Sequence, residues 1–329
     1  MKRNTLLIGL IVALMAGLSA PPVLAEEVKS GFRRTASTGF GFLLVGQSAR
    51  ATAMGEAYIP IANDINAIFW NPAGLVAVER GAFSATYTRW LVNSKLYSGA
   101  VSYNIPFGTL GVSVISFAPE QFEETTIFEP QGTGEMVNGN GTAMGLVFAK
   151  RLTNKLSFGL EVRYLQQNLH REQITHIDFG VSSMFATGFA SSRIGMSLKN
   201  FGADKAVVTD DPFRMPMVFN FGAAMEVIGN LGDPLSLTLS LVNAYNLEVE
   251  KEQFRIGTEL WLQNMLALRA GYKFDKGLFG FNRDIYSWSI GAGVKQSFAG
   301  RSLAVDFSYA AVEEVAFSAP LRLTLSGTF

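Results

Sequence analysis

The sequence predicts an all-β protein, a 14-stranded antiparallel transmembrane β-barrel with an N-terminal helical hatch in the lumen. Three observations carry that reading. Mean hydropathy is high at +0.22, yet past the N-terminus no block of about 20 apolar residues is present to span a bilayer as a helix. The hydrophobicity lies instead in short runs that alternate with Ser, Thr and Gly. The connections between these runs are short on one side and mostly long on the other, as in outer-membrane barrels.

The chain has 329 residues and opens with a targeting segment. Lys2 and Arg3 precede an apolar run from Leu6 to Leu18, and Val23-Leu24-Ala25 places small residues at a cleavage site before Glu26. Residues 1–25 are therefore read as a signal peptide, 26–35 as an N-terminal segment, 36–80 as the hatch and 81–329 as the barrel. Cleavage removes two of the 27 basic residues and leaves 25 against 27 acidic, a net charge of −2. No basic surface for nucleic acid is implied. With no cysteine anywhere, disulfides, zinc ribbons, thiolate clusters, cysteine nucleophiles and a lipid-anchored cysteine are all excluded.

Alternation marks the strands one by one. Leu235, Leu237, Leu239 and Leu241 interleave with Ser236, Thr238 and Ser240. Tyr286, Trp288, Ile290 and Val294 interleave with Ser287, Ser289, Gly291 and Gly293. Period two puts each set on its own face. The pattern yields fourteen strands: 82–91, 95–106, 108–118, 141–151, 155–169, 175–187, 192–201, 216–227, 234–246, 254–263, 265–274, 285–296, 301–312 and 319–329. Turns such as Phe107, Leu152–Asn154 and Asn264 lie on the periplasmic side; loops such as 119–140 and 200–215 lie outside.

A soluble sandwich would show many Lys and Glu on its outward face. Here the polar face is Ser, Gly, Thr and Ala with a few charges in register: Glu161, Arg163, Asp178, Arg255, Glu259, Arg269 and Asp306, joined by Arg193, Lys199, Glu226 and Lys273. Mixed signs predict ion-paired networks filling a lumen. A barrel of this size encloses more space than its own side chains fill, and the segment at 36–80, rich in Ala and Gly, is the natural plug. Asn71-Pro72 suits a helix start, with Asn as cap and Pro at the first helical position.

The last strand interleaves Leu321, Leu323 and Leu325 with Arg322, Thr324 and Ser326 and closes on Phe329. A terminal aromatic strand of this kind resembles the signal read by the barrel assembly machinery, which is an expected partner.

The hatch carries a more specific resemblance. Phe42-Leu43-Leu44-Val45-Gly46, Ala49-Arg50-Ala51, Ala53-Met54-Gly55, Ala57-Tyr58, Ala62-Asn63-Asp64, Ala67 and Trp70-Asn71-Pro72-Ala73-Gly74-Leu75 resemble the N-terminal signature of the PorV/PorQ family. More distantly they are similar to the hatch of FadL-type fatty-acid transporters. The resemblance implies a FadL-like barrel whose members serve type IX secretion by binding cargo and delivering it to the cell surface. The alternative it leaves open is FadL-like passage of a hydrophobic small-molecule ligand, such as a long-chain fatty acid. Arg50, Met54, Asn63, Asp64, Trp70, Asn71 and Pro72 are the expected path residues. Arg50 can meet a ligand carboxylate or pair with a lumen Glu; Asn63, Asp64, Asn71 and Pro72 suit turns and caps.

No catalytic constellation is expected. There is no Gly-x-Ser-x-Gly elbow, and the two histidines, His170 and His176, flank one outer loop. The prediction is a non-enzyme with no cofactor and no metal, Asp210, Asp211 and Glu252 forming no calcium loop. The longest outer loop sets Glu120, Glu123, Glu124, Glu129 and Glu135 among Phe117, Phe122, Ile127 and Phe128. Glu248, Glu250 and Glu252 lie in a second loop, and Glu313 and Glu314 in a third. These acids are read as solvation, as cation-bridged contact with lipopolysaccharide, or as a surface for secretion-system components or cargo.

Overall fold

The computed structural model describes residues 39–137, 139–169, 172–203, 214–248, 251–277, 280–311 and 318–329, with the backbone alone at 275–277 and 280–287. The expected signal peptide, the segment 26–35, His170, Asp210, Asp211, Glu250, Glu313 and Glu314 lie outside the described residues.

Fourteen antiparallel strands form a closed barrel. In chain order they are β1 Gly81–Arg89, β2 Lys95–Ile105, β3 Gly108–Ala118, β4 Gly141–Arg151, β5 Leu156–Leu169, β6 Glu172–Ala186 and β7 Arg193–Phe201. The second half comprises β8 Val218–Ile228, β9 Leu235–Asn246, β10 Lys251–Leu262, β11 Leu266–Gly277, β12 Gly280–Phe298, β13 Arg301–Ala310 and β14 Leu321–Thr328. Each strand pairs with its sequence neighbours, and β1 closes on β14 from Ala82↔Thr328 to Arg89↔Leu321.

The alternation sorts as period two requires. Val112, Val114, Leu146, Leu160, Val162, Leu323 and Leu325 are exposed on the outside, where lipid belongs, while Ser236, Thr238, Ser240, Arg322 and Thr324 are buried in the lumen. The outer loop after β3 is more ordered than alternation alone suggests: Phe122–Glu123 pair with Met136–Val137 in a small hairpin of their own.

The hatch consists of short pieces: 3-10 turns at Gly41–Leu44, Ile59–Ile61 and Pro72–Ala77, and the helices α1 Ala49–Ala53 and α2 Ala67–Trp70. Helices of four or five residues are far below the roughly 12–15 that stand alone, so the wall must hold them. It does so with the lumen hydroxyls. Ser48, the N-cap of α1, makes no side-chain cap bond; instead the Ala49 amide donates to Thr324 Oγ1 (2.9 Å). The Gly55 amide donates to Ser289 Oγ (2.9 Å), and Ser240 Oγ donates to the Ala57 carbonyl (2.6 Å). Buried backbone groups at helix ends need partners, and the wall supplies them. The Ser/Thr face is a capping surface.

Candidate functional site

Arg50, on α1, is buried and reaches the wall. Its Nε and Nη2 donate to both oxygens of Glu259 on β10 (2.8 and 2.7 Å). Its Nη1 donates to Asp64 Oδ2 (2.7 Å) and Asn63 Oδ1 (2.8 Å), and its guanidinium lies 5.4 Å from the centre of the Tyr58 ring. Glu259 also accepts from Arg269 Nε on β11 (2.7 Å), and Arg269 Nη1 donates to Asp306 Oδ1 on β13 (2.6 Å). The sequence Asp64–Arg50–Glu259–Arg269–Asp306 is thus one alternating ladder tying the hatch to three strands. Bidentate guanidinium–carboxylate pairs are the strong form of such contacts. Of the two roles open to Arg50, the geometry is that of pairing.

Asp64 also accepts from the Tyr58 hydroxyl (2.8 Å) and from the Asn66 amide (2.7 Å), closing the turn into α2. Asn71 precedes Pro72 at the start of the 3-10 turn but does not cap it. Its fully buried amide donates instead to the carbonyls of Ile59 (3.0 Å) and Ser183 (3.2 Å), tying the hatch to β6. Trp70 packs edge-on to Tyr58, with centroids 6.3 Å apart. Pro72 backs onto Gly159 of β5.

Two features escape a reading by charge alone. The first is a docking track of wall glycines. A Cβ at Gly271 would sit 2.0 Å from Met54 C and Gly55 N, and one at Gly257, its register partner, 2.5 Å from Met54 O. A Cβ at Gly195 would meet Ile59 O (2.8 Å) and Pro60 Cα (2.9 Å), and one at Gly291 would meet Ala53 Cβ (2.5 Å). Met54 is thus a packing residue whose backbone lies flat on the wall. The available signal was Gly recurring on lumen-facing positions of neighbouring strands.

The second is Glu56. Gly55 and Glu56 both have positive φ (60° and 61°), a cost for Glu that surrounding contacts must offset. Burial would raise its carboxyl, but Lys273 Nζ at 3.0 Å and Arg255 Nη1 at 3.3 Å hold it down to about 2.

Elsewhere Arg163 binds Asp178 and Asn200, with Glu161 at 3.9 Å; Lys199 donates to the Phe69 carbonyl. Arg193 bridges Glu226 (2.8 Å) and the Pro60 carbonyl (3.0 Å). Every charge predicted for the lumen belongs to a hatch-to-wall or strand-to-strand network. Toward the long loops the lumen holds an apolar cluster beside the Glu56 ion pairs: the Phe40 ring lies over His176 (6.2 Å), Phe42 stacks on Phe117 (6.3 Å), and Leu165 and Ile174 belong to the same cluster. Phe117 accordingly belongs to this core and not to the outer loop.

Residues 28–221, more than half of the chain, match the family model described as "Type IX secretion system protein PorV". The chain belongs to the PorV family. PorV-family membership makes it a type IX secretion system barrel of the outer membrane; this is not a known enzyme family. No curated protein matches the sequence. Among solved structures it is similar to the CymD monoaromatic hydrocarbon channel (12% identity, TM-score 0.57, covering 87% of this chain and 98% of that one). The toluene transporter TodX of Pseudomonas putida (13%, 0.56, 86% and 97%) and a FadL homologue of Pseudomonas aeruginosa (11%, 0.54, 85% and 97%) are similar to the same degree. At such identities these likenesses speak for the FadL-like fold alone.

Proposed function

We propose that this PorV-family barrel serves polypeptide export as a docking body at the outer membrane, with its lumen plugged and its outer loops gripping a protein partner. The observation that carries the reading is the loop between β3 and β4. Its backbone is tied across by Glu124 N to Glu135 O (2.8 Å) and Thr133 N to Glu124 O (2.8 Å), and it presents Ile127 and Phe128 at 93% and 89% exposure. An ordered, acidic-flanked hairpin with two bare apolar residues at its tip costs free energy in water and suits insertion into a partner. The packed outer half of the lumen and the anchored hatch support the same reading.

The test is a pull-down from native outer membrane, with bound proteins and lipids identified by mass spectrometry, on the wild type and the Ile127→Ser/Phe128→Ser variant. Translocon subunits or secreted cargo should accompany the wild type and be lost from the variant, whose barrel stays heat-modifiable on gels. An unchanged partner set would overturn the reading. Recovery of amphiphiles alone would favour the second proposal, passage of hydrophobic small molecules, for which the structural likeness is the support.

Signal-peptide cleavage before Glu26 and recognition of β14 by assembly machinery belong to the same proposal. Leu323 and Leu325 face outward, and the Phe329 ring covers Gly81 at the barrel seam while its amide donates to the Gly81 carbonyl (2.9 Å). Deleting Phe329 is expected to lower the folded, membrane-inserted fraction; an unchanged fraction would remove β14 as the signal.

A further inference from the structure

Two cations stand on the lipid-facing side of the wall. Arg89 ends β1, Lys95 begins β2, and the two are direct register partners. Parity puts both on the outward face with Tyr87, Tyr97 and Val101, and both are exposed. Neither side chain makes a hydrogen bond or an ion pair among the described residues. Their other register partners are apolar, Leu321 on β14 and Ala118 on β3. The acid just past β3, Glu120, has both oxygens on the Asn93 amide instead (3.3 and 3.2 Å). Like charges directly opposite one another on paired strands are destabilising, so this pair calls for an anion.

Their depth in the membrane follows from the strand below them. The outward positions of β2 and its turn, Tyr97, Gly99, Val101, Tyr103, Ile105 and Phe107, carry no charge. That stretch covers about 33 Å along a strand. At a tilt near 40° this is about 25 Å along the barrel axis, the height of the apolar band of such barrels. Tyr87 and Tyr97, register partners with ring centroids 5.5 Å apart, mark its outer edge, where aromatic girdles meet lipid headgroups. Arg89 and Lys95 are the next outward residues, about 5 Å higher. The connection between them is a tight turn closed by Trp90 N to Ser94 O (2.8 Å), which leaves their outward side bare.

We infer that Arg89 and Lys95 bind a phosphate group of lipopolysaccharide, on the lipid A unit of the outer leaflet. Phosphate is the anion that the outer leaflet holds at headgroup depth, and it offsets the repulsion between the two cations. The guanidinium fork of Arg89 takes two phosphate oxygens, and the Lys95 ammonium adds a point charge. The Tyr87 and Tyr97 rings lie beneath, with their apolar bodies against the acyl chains. The site rests on the outer-membrane barrel and not on the docking role given to the loop between β3 and β4, and its test reads bound lipid, not a protein partner.

The experiment is native mass spectrometry of the full-length barrel in detergent, titrated with phosphorylated lipid A and, in parallel, with the same lipid A stripped of its phosphates. The wild type should bind the phosphorylated form at least tenfold more tightly. Arg89→Gln/Lys95→Gln should lose that preference in a barrel that retains its heat-modifiability, and Lys95→Gln alone should lose part of it, which keeps the test open if the double variant does not assemble. Lys150→Gln removes an exposed outward cation at the short-turn end and should leave the preference intact. A preference undiminished in the Arg89 and Lys95 variants, or reduced as much by Lys150→Gln, would overturn the inference. Phosphatidylglycerol binding as tightly as phosphorylated lipid A would make this a general lipid-phosphate site and overturn the lipopolysaccharide claim. Displacement of bound lipid A by millimolar inorganic phosphate would make it a site for free phosphate and overturn it equally.

Discussion

The two ends of the lumen are filled by different physics. Toward the long loops, Phe40, Phe42, Phe117, Leu165 and Ile174 form an apolar cluster on one side, with the Glu56–Lys273–Arg255 ion pairs on the other. The short-turn half is a charge ladder above an open cavity. Apolar packing seals whatever shape fits and leaves no unmet demand. Ion pairing seals only where charges find their partners, and at the ladder Asp306 receives one hydrogen bond, from Arg269, among the described residues. The packed end therefore closes the barrel, and the short-turn end keeps an open cavity below the ladder.

The comparison breaks most sharply at Glu259. Glu259→Ala leaves Arg50 and Arg269 buried without their shared carboxylate, a change expected to cost about 3–5 kcal/mol. The expected result is a lowered unfolding midpoint in detergent together with higher single-channel conductance in planar bilayers as the hatch loosens. Phe40→Ala, at the other end, removes a fully buried ring and is expected to cost about 3 kcal/mol or more. Its conductance should rise only if the outer half is the true seal, so the two variants together rank the ends.

A smaller effect is expected at the glycine track. Gly271→Ala places a methyl on the Met54–Gly55 backbone, and overpacking of this kind costs about 1–3 kcal/mol. A cysteine placed in α1 should then become reactive to a water-soluble thiol reagent while the barrel stays folded.

Glu56 sharpens the comparison through pH. Its folded carboxyl lies at about 2, below the ordinary 4.5, so its stabilisation is fully present above pH 4.5 and is lost as pH falls toward 2. Hatch protection from proteolysis should decline over that window in the wild type, and the decline should flatten in Glu56→Gln. Smallest of all, Ser240→Ala deletes a single hydroxyl cap on Ala57 and is expected to cost about 1 kcal/mol, read as a shift in the same unfolding midpoint.

Much of this was legible along the chain. Fourteen strands, their order and the side on which each loop emerges follow from period-two alternation and connection length, because a strand's two faces are written into consecutive residues. The lumen location of Glu259, Arg269 and Asp306 followed from the same parity. Their pairing did not. Arg50 and Glu259 are 209 positions apart, and which strand faces α1 depends on how the hatch rotates within the barrel. Asn71 shows the same limit from the other side: its sequence context suits a cap, but two carbonyls brought in from Ile59 and Ser183 took its amide.

What the sequence determined by itself is the barrel, since each lipid-facing Leu or Val needs only its local neighbours to be placed. What the tertiary structure decided is the site. Wall glycines that read as mere gaps become a track once Met54 and Gly55 lie on Gly257 and Gly271. Charges that sum to nothing over the whole chain become a connected ladder once Asp64, Arg50, Glu259, Arg269 and Asp306 are brought together in the lumen. Parity is a property of one strand, whereas charge balance and close approach are properties of groups that only closure of the barrel brings together.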